Sequence, residues 1–143
     1  MKAIRTYPIV LIAVLALASC GKGELDPDTL TNNPFDPDYD GPAVFALDTT
    51  YLEVVSIPGA TLLNQAIVFH AKAELFLSDA SYSVKVVDRI SGMSFTLDPN
   101  PANSDRFKYV RSEPVIGAPV CLELRLFNNQ SAARAEQICA TLQ

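Results

Sequence analysis

The stretch Ala66-Ile67-Val68-Phe69-His70-Ala71-Lys72-Ala73-Glu74-Leu75-Phe76-Leu77 decides the fold. Ile67, Phe69, Ala71, Ala73, Leu75 and Leu77 fall on one side of a chain with a period of two. Val68, His70, Lys72, Glu74 and Phe76 fall on the other. A helix would scatter the apolar positions around its axis, so the pattern predicts a half-buried β-strand over 66–77. Working outward, Tyr82, Val84 and Val86 alternate with Ser83, Lys85 and Arg89. Met93, Phe95 and Leu97 follow a Ser91-Gly92 turn signal, and Asp98-Pro99-Asn100-Pro101 breaks the chain. Phe107 and Tyr109 flank Lys108. Val120, Leu122, Leu124 and Leu126 alternate with Cys121, Glu123, Arg125 and Phe127. Residues 43–47 and 50–57 supply one or two opening strands.

Seven or eight short strands in about 100 residues, punctuated by Gly, Pro, Asn and Asp, predict an all-β antiparallel sandwich over 43–143. The size and strand rhythm resemble immunoglobulin-like and fibronectin type III-like modules. The Trp and the inter-sheet Cys pair of antibody domains are missing, so the resemblance is one of architecture. A small up-and-down barrel is the alternative.

The N-terminus predicts an address. Lys2 and Arg5 precede an apolar run from Ile9 to Ala18 that is too short to span a bilayer, which needs about twenty residues. This is the build of a secretory signal over residues 1–19. Its end, Leu17-Ala18-Ser19-Cys20, resembles the lipobox of bacterial lipoproteins. The resemblance implies cleavage before Cys20, a diacylglycerol on its sulfur and usually an added acyl chain such as palmitate. Two or three chains anchor stably where one is marginal. Cleavage removes Lys2 and Arg5 and no acid, leaving nine basic and sixteen acidic residues, a net charge of −7. An anionic membrane surface repels such a chain, so the lipid must hold it there. The same charge argues against nucleic-acid binding.

Residues 20–42 read as a lipidated tether. Positions 21–42 contain four prolines, three glycines and six acids, too polar a mix to offset its own ordering entropy. A lipobox followed by Asn33-Pro34-Phe35-Asp36-Pro37 resembles small envelope lipoproteins of Bacteroidota-type bacteria. In that group acids directly after the Cys mark surface export. Gly21, Lys22 and Gly23 stand here instead, which leaves periplasmic and surface sides open on a favoured outer membrane. Asp28-Thr29-Leu30 resembles a short O-glycosylation pattern of the same group. Asp36, Asp38 and Asp40, followed by Gly41, match the first half of a Ca²⁺ loop. The second half fails, because Leu47 stands where the bidentate acid belongs. A solvated acidic tether is the preferred reading.

With Cys20 lipidated, Cys121 and Cys139 remain for a disulfide in an oxidising compartment. A hairpin centred on Gln130 puts Cys121 opposite Cys139, Leu122 opposite Ile138 and Val120 opposite Ala140. The apolar pattern chooses the same register independently. A strand over 137–142 follows. The competing reading is a helix from Ser131, whose Ala-rich start has good helix formers.

The catalytic inventory is small. His70 is the single His and lies on the polar face. Arg106, Lys108 and Arg111 read as charges guarding an edge strand, or as a patch for an anionic partner. The expectation is a non-enzymatic module without a cofactor, held to a membrane and presenting its sandwich to a protein or glycan partner. A structural spacer or assembly subunit is the alternative, and a small hydrolase the remote one.

Overall fold

The computed structural model describes residues 33–75, 81–99, 105–128 and 132–143. The signal segment, Cys20 and the motif at 28–30 lie outside them. Among the described residues seven strands follow in order: β1 (Phe45–Ile57), β2 (Ala60–Ala71), β3 (Ser83–Asp88), β4 (Ser94–Leu97), β5 (Arg106–Arg111), β6 (Pro119–Phe127) and β7 (Glu136–Thr141). They form two antiparallel sheets, β1-β2-β5 and β4-β3-β6-β7. The sheets pack face to face as a β-sandwich.

The alternation in the sequence becomes the core. Ile67 and Phe69 from one sheet meet Val84, Val86, Val120, Leu122, Leu124 and Leu126 from the other, all essentially without solvent contact. Phe69 stacks on Phe107 at 5.6 Å between ring centroids, and Phe45 meets Phe69 edge-on at 6.1 Å. Burying such side chains is the main stabilising term of the fold.

Strand β2 departs from the expected span. It begins earlier, at Ala60, and stops at Ala71, where a short 3₁₀ turn over Ala73–Leu75 takes over. The ladder runs out of partners there: Ala71 pairs with the first residue of β1, and His70 with the first of β5. The amides of Ala71 and Lys72 are taken by the carbonyls of Asp105 and Val44 instead.

The tether also ends earlier than expected. Pro34, Phe35 and Tyr39 are buried, and both aromatic rings join the core. Residues 33–42 are therefore part of the packed domain, because these rings cover a pole that the strands leave open. Two tight turns hold them. The Asn33 side chain accepts from the Phe35 amide, and the Asp36 side chain accepts from the Asp38 amide. Gly41 is required by packing: a Cβ there would lie 2.4 Å from the Tyr39 hydroxyl oxygen, which donates to the Pro42 carbonyl.

The C-terminal hairpin has the expected register. Cys121 faces Cys139, Leu122 faces Ile138 and Val120 faces Ala140. The two sulfurs are bonded, with Cα atoms 4.0 Å apart. The bridge lies on the outer face of its sheet, within one sheet. Among the described residues 132–143 there is no helix; β7 starts at Glu136.

Candidate interaction surface

The two ends of the sandwich differ. At one pole the chain arrives through residues 33–44. The amides of Val44 and Phe45 both donate to the carboxylate of Glu136, at 2.9 and 3.1 Å, which ties the start of β1 to the start of β7. The sequence gives no local hint of Glu136's role, since its partners lie about ninety positions away.

At the opposite pole, three polar residues close the core. Asp88 is fully buried, as is Gln65, and Arg111 nearly so. One Asp88 oxygen accepts from the Ile90 and Ser91 amides. The other accepts from the Tyr109 hydroxyl and pairs with the Arg111 guanidinium. Burial alone would push the Asp88 carboxyl up, but these donors hold it below its ordinary value. Burial, reinforced by the same contact, pushes the Tyr109 hydroxyl up to about 12. Arg111 also donates to the Glu113 carbonyl, and Gln65 accepts from the Val115 amide and donates to Thr50. The cluster thus pins the β3–β4 turn and the loop before β6 to β2 and β5.

Above this cluster lies a groove of about 380 Å³, lined by Asn64, Ser91, Met93, Phe95 and residues 109–113. Phe95 pairs with the core residue Val86, yet it is 41% exposed. It sits on the edge strand β4 and rests against Tyr109, with centroids 5.6 Å apart. The Asn64 Oδ1 is buried without a hydrogen-bond partner.

Beside the groove, β1 and β2 run on past the end of β5, whose last residue Arg111 pairs with Gln65. The extension from Gln65 to Ala60 measures roughly 17 Å. Pro58 and Gly59 close it, with Pro at the first central position and a positive φ of 83° at Gly59, the pattern of a type II turn. From Val54 to Leu63 this arm carries no charge. Val54 and Leu63 face each other on the core side, yet they are 62% and 50% exposed. Ile57 and Leu62 are exposed on the other face. Surface aliphatics grouped in this way mark interaction sites. The sequence pattern assigns 50–57 to a strand but leaves 60–65 unassigned, and it carries no sign that the arm outruns its sheet.

The basic residues of β5 do not form one patch. Arg106 pairs with Asp48 at 3.0 Å, and Lys108 pairs with Glu53 at 2.7 Å while lying over the Tyr51 ring. Arg111 points inward. His70 is half-exposed, with Nδ1 2.6 Å from the other Asp48 oxygen. Asp48, His70, Asp105 and Arg106 line an open hollow of about 320 Å³. Asp36, Asp38 and Asp40 do not converge: among the described residues no three acid, His or Cys side chains are placed to hold one metal ion. Asp36 instead caps its own turn. No protein-family model, curated protein or solved structure matches the chain.

Proposed function

We propose that this chain is a lipid-anchored, non-enzymatic module of the bacterial cell envelope. Its sandwich would have an immunoglobulin-like shape and present the pole bearing the arm and groove to a protein or glycan partner. The lipobox-like Leu17-Ala18-Ser19-Cys20 supports the anchor. The observation that carries the reading is polarity: the segment leading back to Cys20 joins one pole, and the exposed apolar arm leaves the other. An anchored molecule so built holds its arm away from its membrane. The strand order supports the immunoglobulin-like shape. Lettered A to G, the sheets are A-B-E and D-C-F-G, where antibody constant domains place D beside E.

The second reading, a subunit of an envelope assembly, is favoured by β1, a 13-residue edge strand. The anchor is tested by Cys20→Ala. This variant is expected to lose incorporation of radiolabelled palmitate and to leave the membrane pellet. Retention of label or of membrane association overturns the anchor at Cys20.

A further inference from the structure

The arm has a free edge as well as free faces. Ile57 and Ala60 flank a two-residue turn and therefore form a hydrogen-bonded pair. Bonded and non-bonded pairs alternate from there. Val55, Glu53 and Tyr51 spend their backbone groups on β2, while Ser56, Val54 and Leu52 turn theirs to the outer edge. An exposed strand edge of this kind is a template for another strand.

We infer that the outer edge of β1 pairs antiparallel with the same edge of a second copy of this chain, about a two-fold axis at Val54. Three observations fix the occupant and the register. First, the molecule is net negative, and two copies repel except where charge is missing, as on the arm. Second, the backbone parity fits: Val54 meets Val54, and Leu52 meets Ser56, all with outward-facing groups. Glu53 then lies opposite Val55 and no carboxylate opposes another. Third, this register lays Ile57 and Pro58 of each copy beside Tyr51 and Thr50 of the other. There the structure has a cleft of about 390 Å³, lined by Thr50, Tyr51, Leu52, Thr141, Leu142 and Gln143. An axis at Leu52 would carry the tip past this cleft and set Ser56 opposite Asp48. An axis at Ser56 would leave Ser56 with Ser56 as the one outward-facing pair clear of Pro58, which has no N–H to give, whereas the axis at Val54 keeps Val54 with Val54 and both Leu52–Ser56 pairs and puts Pro58 at the end of the ladder, opposite Thr50. The interface is isologous, and so closes on itself as a dimer.

The inference stands on the arm and does not depend on the lipid anchor. Its test uses the full chain with its own leader in cell envelopes, treated with a mild oxidant. Hydrogen-bonded antiparallel partners have Cα atoms about 5.5 Å apart, within disulfide reach. Val54→Cys is expected to give a dimer band about tenfold above that of the unsubstituted chain, which controls for Cys20. Leu63→Cys lies on the same face of the same arm, but three strand spacings, about 14 Å, would separate it from its copy. It is expected to stay at background. Equal cross-linking of both variants overturns the inference. So does cross-linking of neither while maleimide alkylates both thiols, and so does capture of a different protein at Val54→Cys. Loss of palmitate labelling with the dimer band intact would remove the anchor alone.

Discussion

The body of the sandwich and its arm are made from the same kind of sequence and end in opposite surroundings. In the body, Ile67 and Phe69 on β2 face Leu122 and Leu124 on β6 and lose all contact with solvent. Four positions before Ile67, on the same side of β2, Leu63 continues the strand and remains about half exposed. The alternation tells which residues share a face; it does not tell whether anything lies over that face. Coverage depends on how far the opposite sheet extends, which is set by the turns at Asp88–Met93 and the loop before Pro119. Those turns are held by the buried polar cluster.

This contrast can be broken most severely at the cluster itself. Asp88→Asn leaves the Arg111 charge buried without its counter-ion and is expected to cost about 3–5 kcal/mol, read by urea denaturation. A loss below about 1 kcal/mol would mean that the pair is not desolvated as described. Next, Leu124→Ala in the body should cost about 2–5 kcal/mol through lost burial and a residual cavity. Leu63→Ala in the arm should stay within about 0.5 kcal/mol. Equal costs for the two leucines would show that the arm is covered in the isolated chain.

The finest test is pH. The Asp88 carboxyl is held below its ordinary value by its donors. Its stabilisation is therefore full above the ordinary carboxylate range, about pH 4, and is lost as pH falls through the folded value. Tyr109 has the opposite sign. With its hydroxyl pushed up to about 12, its contribution is full below the unfolded value near 10 and disappears as pH rises through the folded one. Tyr109→Phe should flatten the fall of the melting temperature across that window. An unchanged alkaline profile would place the effect on other residues, such as Tyr39 and Tyr82, which burial also pushes up.

The fold class and the Cys121–Cys139 register were readable because two signals agreed. The apolar period and the cysteine pairing demanded the same hairpin, and each strand's phase could be counted locally. The polar cluster was less visible, although its phase was written in the chain. Arg111 shares its side of β5 with Phe107 and Tyr109, Asp88 shares its side of β3 with Val84 and Val86, and Gln65 shares its side of β2 with Ile67 and Phe69. Grouping Arg111 with Arg106 and Lys108 by closeness in sequence hid that phase. Glu136 had no such signal, since its partners are backbone amides of a distant strand. The packing of Phe35 and Tyr39 was hidden for another reason: a Pro- and Asp-rich composition argues for solvation, and two aromatic rings override it by filling an open pole. Each strand can be read from its own residues, whereas the arm's exposure depends on where its neighbours stop.

The grip of Glu136 on Val44 and Phe45 has a mechanical meaning. Glu136 begins the strand that carries Cys139, and Cys139 is covalently joined to β6. Tension applied to the chain upstream of residue 44 is handed to a cross-linked ribbon near the point where it arrives. The free hairpin at the far end is left unloaded, so its edge keeps its shape under that load.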